Sequence, residues 1–497
     1  MKIYLRGNKY RYELEHVVRA FVPEAELVHY VVSKRERKDG DEFVYFRLSE
    51  TKSVISLLVA VNYHNTLASK IKKIPPESDD KESKRELAVM FYDIMSSLTG
   101  KRPAWGVLTG VRPVKLVRKI LCSGIDDKKV ISKLREQYRV SESKAKLAVQ
   151  TVSGSSKIIN LSGSASYSLY ISIPFCPSRC EYCSFVSKTA GNDRQQLSVY
   201  LARLNEELRI TSALASRYNL KLESIYIGGG TPTTLSEKEL TSLLEVIAEN
   251  FPVGCAREYT VEAGRPDTIT LDKLKVLREH EVDRISINPQ TFNDAILKSI
   301  GRRHTGADII KAFSDAETAG FKNINADLIA GFEGDDLSGF QSSVSKLISL
   351  KPKGITVHTL TSKRGSFFRE GNGGFAADAE AMVDEARQML GEKGYLPYYL
   401  YRQKGSACGL ENVGYSLAGF EGLYNVFIMD ELHTILSCGA SAVSKLYDPQ
   451  TGLIKRIFNY KYPLDYIKGF DEIKRRKEQI SCFYESIIRS KTKIADK

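Results

Sequence analysis

No run of apolar residues in this chain is long enough to cross a bilayer. Its first residues, Met1 to Arg6, lack the long apolar stretch of a secretory signal. The expectation is a cytoplasmic protein with no membrane span. A disulfide framework is also missing: of eight cysteines, only three stand close together, which suits a reducing compartment. No nucleic-acid module and no basic stripe can be recognised. Lys and Arg exceed Asp and Glu by 13, but the surplus is spread along the chain. No nucleic-acid partner is therefore expected, and the sign of the charge suits a solvated surface or an acidic small molecule. What remains is an ordinary globular composition, 42% apolar, in 497 residues, enough for about three domains.

The informative stretch runs from Tyr170 to Phe185. An apolar, β-branched run, Leu169 to Ile173, ends at Pro174 and reads as a buried strand. Cys176, Cys180 and Cys183 follow it in a C-x-x-x-C-x-x-C array. Three thiolates on one short loop can converge on one inorganic centre. Four protein ligands would complete a structural zinc site. A cubane iron–sulfur cluster held by three leaves one iron open to a non-protein ligand. A zinc loop with a distant fourth ligand, or three unligated core cysteines, are the alternatives. The lack of a second cysteine pair favours the cluster. Cys408 and Cys438 are isolated and read as inert.

Ahead of this stretch, residues 1–160 read as a separate α+β unit. The pattern predicts a helix over Tyr10–Val22 and strands over Glu42–Leu48 and Val54–Val61. A charged connector, Lys72–Arg85, is expected before a helix over Glu86–Leu98, with Ser78 to Asp80 able to cap it. Arg112 lies on a turn between Gly110 and Pro113, where its planar fork suits a carboxylate or ties down a loop. Two helices follow over Asp126–Val152, broken near Val140 and Ser141. Small residues at Ser153–Ser156 and Ser162–Ser166 suggest a linker.

From Tyr167 strands and helices alternate. Strands are expected at Leu169–Ile173, Ser224–Ile227, Glu258–Glu262, Arg284–Ile287, Ile324–Ile329 and Ile355–Leu360. Helix-period segments lie between them, which argues for a parallel sheet with helical crossovers. Six units suggest a partial (β/α)6 barrel spanning 167–365, with its chemistry at the C-terminal strand ends. The second strand end carries Gly228 to Thr233, where three glycines let backbone groups approach a zwitterion. The third carries Glu262, able to accept from ribose hydroxyls or an amine, or to pair with Arg265. The fourth carries Gln290, with a donor and an acceptor. Arg302 suits a carboxylate, and His304 suits proton transfer or a structural role. The fifth carries Asp327, costly to bury without a polar partner. The sixth ends at His358.

After Gly365 a C-terminal α+β cap, 366–497, is expected to shape the substrate pocket. It comprises a loop at Gly371–Gly374, a helix over Ala377–Lys393, and strands at Tyr398–Tyr401, Asn425–Met429, Thr434–Ser437 and Arg456–Tyr460. A helix over Leu464–Ile488 completes it. Tyr398, Tyr399, Tyr401, Tyr415 and Phe420 form either ordinary core or a stacking surface for a flat macrocycle.

The cysteine array after a strand, with Tyr182 before the third cysteine, resembles the radical S-adenosylmethionine (SAM) superfamily. The fuller string from Tyr170 to Cys176 is similar to the oxygen-independent coproporphyrinogen III oxidase family, and the overall layout to its HemZ-type branch. The resemblance implies a [4Fe–4S] cluster on Cys176, Cys180 and Cys183. It implies SAM contacts from Tyr170, Gly229, Gly230, Thr231, Glu262, Gln290, Arg302, Asp327 and Ile329. It further implies a tetrapyrrole substrate, an electron donor such as flavodoxin or ferredoxin, and oxidative decarboxylation of coproporphyrinogen III to protoporphyrinogen IX. One position departs from the pattern. The family's oxidases carry a fourth cysteine two residues after the third, and here Phe185 stands there. Relatives without it include haem-binding chaperones, so a chaperone-like protein, or an enzyme acting on another tetrapyrrole, is the alternative.

Overall fold

The computed structural model describes residues 1–7, 9–23, 25–27, 42–185, 187–189, 194–361, 378–403 and 409–495. The Gly371–Gly374 loop, the boundary near Gly365 and Cys408 lie outside them. The chain divides into two compact units, one of Met1–Val152 with Tyr401–Glu411, the other of Ser153–Leu400 with Asn412–Lys497. Among the described residues no helix is long and apolar enough to cross a membrane.

The first unit is built on strands β1 (Lys2–Arg6), β2 (Glu26–Leu27), β3 (Phe43–Glu50), β4 (Ile55–Tyr63) and β5 (Thr66–Ile74), in the order β2-β1-β3-β4-β5. Alternate residues of β4 are buried, as a half-covered strand requires. Its inward set, Leu57, Val59 and Val61, packs with Leu14, Val18 and Phe21 of helix α1 (Arg11–Phe21). Leu87, Phe91 and Met95 of α2 (Asp80–Thr99) join the same core. The expected connector Lys72–Arg85 is corrected here. Lys72 to Ile74 complete β5 by pairing with β4. Asp79 starts the helix six residues early by accepting the Glu82 N–H at 2.7 Å. Arg112 precedes α3 (Pro113–Leu121), and α4 (Asp127–Tyr138) and α5 (Glu142–Ile159) break where expected. Glu411 is fully buried and accepts from Lys144 Nζ at 2.7 Å and Trp105 Nε1 at 2.6 Å, which holds the Tyr401–Glu411 segment within this unit.

Helix α5 runs on through Ser153–Ser156, so the first expected linker is instead helical. The small residues serve close packing: a Cβ on Gly154 would stand 2.3 Å from the Pro397 carbonyl oxygen.

The second unit is built on an open, mostly parallel sheet. It begins with β6 (Ser166–Ile173), followed by the short pair β7 (Phe175–Cys176) and β8 (Lys188–Thr189) in the cysteine loop. Strands β9 (Lys221–Gly229), β10 (Glu258–Gly264), β11 (Arg284–Ile287), β12 (Asn323–Ala330) and β13 (Gly354–Thr359) continue it. These six, β6 and β9 to β13, lie side by side in chain order and parallel. The crossovers are α6 (Arg194–Arg217), α7 (Glu237–Asn250), α8 (Leu271–Glu279), α9 (Asp294–Ser299), α10 (Gly306–Thr318) and α11 (Leu337–Ser349). Capping boxes at Ser236/Glu239 and Thr305/Asp308 start two of them. The fold is the expected α/β partial barrel.

Helix α12 (Ala379–Glu392) leads to β14 (Leu396–Arg402) and β15 (Glu411–Ser416), and β15 pairs antiparallel with β13. After helix α13 (Leu423–Asp430), β16 (Thr434–Cys438) joins β6 in parallel, and β17 (Val443–Tyr447) and β18 (Ile454–Phe458) extend that edge. The expected strand Asn425–Met429 lies inside α13 and is corrected to helix. A short apolar run does not distinguish the two by periodicity. The helix is selected by Glu258, whose carboxylate accepts the N–H groups of Leu423 at 2.7 Å and Tyr424 at 3.1 Å. The last expected helix divides at Gly469 into α14 (Pro463–Lys468) and α15 (Phe470–Ala495).

Candidate functional site

Strand β6 stops at Pro174, which has no N–H for the ladder. The chain then turns into the cysteine loop. The glycine segment after β9 is fastened to the start of that loop. Gly230 N–H donates to the Ile173 carbonyl at 2.9 Å and Thr231 N–H to the Phe175 carbonyl at 2.8 Å. A Cβ on Gly230 would meet Phe175 O at 2.6 Å and Phe175 N at 2.7 Å, both backbone atoms. Gly229 has φ +104, a conformation that favours glycine. Thr231 Oγ1 lies 3.4 Å from Cys176 Sγ, so the two loops meet at the first thiol.

Two arginines grip the rest of the loop. Arg265 is 3% exposed and places Nε and Nη2 on the Asp267 carboxylate at 2.9 and 2.8 Å. Its Nη1 donates to Ser178 O at 3.1 Å and Ser178 Oγ at 2.9 Å, and lies 3.6 Å from Cys180 Sγ. Arg265 thus pairs with Asp267, which removes the ion pair with Glu262 as an account of Glu262. Arg302 is also buried; it donates to the Asn288 carbonyl at 3.0 Å and the Tyr182 hydroxyl at 2.8 Å. His304 is buried with its Nδ1 3.9 Å from Asp267 Oδ1, behind this tether.

Glu262, at the end of β10, accepts from the Tyr226 hydroxyl at 2.6 Å. Burial pushes its carboxyl up to about 7; the Tyr226 hydrogen bond opposes that rise and the nearby Asp327 charge adds to it. Tyr170, Tyr226 and Tyr424 stack beside it, with ring centroids 4.5 to 6.2 Å apart. Gln290 has φ +72; its N–H donates to the Asp327 carbonyl and its own carbonyl accepts from Ile329 N–H, each at 2.9 Å. Its side-chain Oε1 is buried with no partner. Asp327 accepts from Asn325 Nδ2 at 2.9 Å and lies 3.5 Å from His358 Nε2. Ile329 is buried on the same strand.

The structure therefore brings Gly229, Gly230 and Thr231 against the first cysteine. It gathers Tyr170 and Glu262 around Tyr226, and links Gln290, Asp327 and Ile329 through backbone hydrogen bonds. Arg302 is engaged with Tyr182 of the cysteine loop. Tyr398, Tyr399 and Tyr415 are core residues, and a Cβ on Gly414 would overlap the Tyr399 ring. Sequence reading missed Arg265 as a loop tether, and Tyr226 and Tyr424 as neighbours of Glu262. The usable signal for Tyr226 was its place two residues before the glycine segment, on the face shared with Gly228.

The residues fit a cluster and SAM. The donor set is three thiols on one loop. Burial raises the Cys176 thiol and pushes Cys183 up to about 11, a cost that a cationic metal centre reverses. Among the described residues no three His, Cys, Asp or Glu side chains close on one point as a single ion needs. The unpaired Gln290 oxygen and the side-chain-free glycine edge supply a polar cradle beside the loop.

A model of the radical SAM superfamily matches residues 170–347. Over 92% of this chain and 93% of its own length, the oxygen-independent coproporphyrinogen-III oxidase-like protein HemZ of Bacillus subtilis (strain 168) is 34% identical. The chain belongs to this radical SAM family. The family is mixed: the heme chaperone HemW of Lactococcus lactis subsp. lactis (strain IL1403) is 34% identical over 55% of this chain and 69% of its own. Among solved structures, coproporphyrinogen III oxidase (HemN) from Escherichia coli covers 64% of this chain and 72% of its own, at 22% identity and a TM-score of 0.49. As a radical SAM family member, the chain uses a [4Fe–4S] cluster and SAM.

Proposed function

We propose that this protein is a radical SAM oxidoreductase that converts coproporphyrinogen III to protoporphyrinogen IX by oxygen-independent oxidative decarboxylation. The observation that carries the reading is similarity to a HemZ-type protein along nearly the whole of both chains, first unit included. When bound, the cluster and SAM supply an electron and a hydrogen-abstracting radical. Cys176, Cys180 and Cys183 hold the cluster. Thr231, Arg265 and Tyr182 set the shape of their loop. Gly229 and Gly230 present backbone groups to the amino-acid end of SAM, and Tyr170, Glu262, Gln290, Arg302, Asp327 and Ile329 orient the rest. The net charge of +13 suits a substrate with four carboxylates. A flavodoxin or ferredoxin is the proposed electron donor, the cytoplasm the proposed compartment, and 167–365 the proposed catalytic domain, between 1–160 and a 366–497 region whose strands join the same sheet.

A second reading is a haem-binding chaperone that keeps the barrel and cluster without decarboxylation. Phe185, 66% exposed beside Cys183, favours it, as does the similarity to HemW. Anaerobic incubation with coproporphyrinogen III, SAM and a reductant separates the two. Carbon dioxide released with repeated turnover supports the enzyme. No carbon dioxide, with stoichiometric retention of haem supplied in a parallel incubation, supports the chaperone.

A further inference from the structure

Glu262 uses its two oxygens differently. Oε1 accepts from the Tyr226 hydroxyl at 2.6 Å. Oε2 lies over the glycine edge, 2.9 Å from where a Cβ on Gly228 would stand. One oxygen is thus held by Tyr226, and the other lies against the glycine edge, whose Gly229 N–H also hydrogen-bonds the carboxylate. Tyr226 is itself fixed. Its ring stacks on Tyr424 at 4.5 Å and 23°, and on Tyr170 at 6.2 Å and 23°. Tyr424 is held by the Glu258 carboxylate through its backbone N–H. Tyr226 is therefore positioned from three elements to address one carboxylate.

The groups facing Glu262 come from five elements. They are Tyr170 of β6, Tyr226 and the Gly229 N–H of β9, Asp327 of β12, His358 of β13 and Tyr424 of α13. Asp327 works against ionisation; Tyr226, the Gly229 N–H and His358 work for it. A carboxylate accepts hydrogen bonds from ribose hydroxyls or an amine with both oxygens, whereas its protonated form gives up part of that capacity. We propose that Tyr226 is a positioning residue which, through its hydrogen bond to Glu262, sets the pH at which the site accepts SAM. This rests on the reading that Glu262 faces SAM.

The test is SAM binding by the full-length, anaerobically reconstituted protein, measured by equilibrium dialysis between about pH 6 and about pH 9. Wild-type affinity falls as pH drops through neutrality. Tyr226→Phe keeps the stacked ring and moves the midpoint up by about one pH unit. Fluorinated tyrosine at position 226, a stronger donor of nearly the same size, moves it down, and remains informative if Tyr226→Phe fails to fold. Glu262→Gln removes the difference between the wild-type and position-226 profiles, leaving only the titration of SAM's own amino group, which is common to all. Equal midpoints in wild type and both position-226 variants overturn the proposal and leave the proposed function standing. A midpoint shift by Tyr226→Phe that persists in the Glu262→Gln background overturns it as well. No SAM bound by wild type at any pH overturns the proposed function and this proposal together.

Discussion

Arg265 Nη1 lies 3.6 Å from Cys180 Sγ while its other guanidinium nitrogens are locked on Asp267 at 2.8 and 2.9 Å. The fork anchors the middle of the cysteine loop to the end of β10. Lysine has no fork and cannot engage Asp267, Ser178 and the thiol at once. Arg265→Lys is expected to lower cluster affinity by about tenfold, as loss of an outer-shell contact to a metal ligand does. Iron and sulfide content after reconstitution under limiting iron checks this; unchanged content contradicts the tether.

Neighbouring glycines of one loop are expected to fail differently. At Gly230 an added Cβ meets backbone atoms at 2.6 to 2.8 Å, which cannot swing aside. Gly230→Ala should cost about 2 kcal/mol of stability and loosen the loop junction. At Gly228 the obstacle is the Glu262 carboxylate, with a Tyr226 ring atom at 3.0 Å. Gly228→Ala should displace Glu262 and weaken SAM binding by about tenfold, with a smaller loss of stability than Gly230→Ala. Thermal melts and SAM dialysis on both variants separate the effects.

His433 is buried between Ser162 Oγ and Ser168 Oγ, each at 2.8 Å. Burial pushes its pKa down to about 4, with the Glu223 charge opposing. The unfolded chain takes up the proton first, near the ordinary pKa of about 6.5. Its stabilising contribution is therefore present at neutral pH and is lost as pH falls from about 6.5 to about 4. The loss is expected to reach about 3 kcal/mol. Urea unfolding of wild type and His433→Gln across that range checks it, because other acids titrate alike in both. Parallel pH profiles contradict the assignment.

The barrel was legible because its strands are short apolar runs separated by helix-period segments, and each motif falls at a strand end. The cysteine array was legible for the same reason: its spacing is local. Side chains that meet across the fold left little local trace. Arg265 approaches Cys180 from 85 residues away, and Tyr424 reaches Tyr226 from a run that reads equally as strand or helix. The small-residue stretch Ser153–Ser156 misled because the cue for a linker is also the cue for close helix packing. The early start of α2 turned on one side-chain cap at Asp79, and it exceeds the one or two residues by which helix ends ordinarily scatter.

In the proposed site, three thiols hold a cluster with one iron open beside the glycine edge. Electron paramagnetic resonance of the reduced, reconstituted protein with and without SAM tests it most directly. The expected result is a [4Fe–4S] signal that shifts when SAM is added and is lost when Cys176, Cys180 or Cys183 is replaced by alanine. A signal unchanged by SAM, or one that survives any of these replacements, contradicts it.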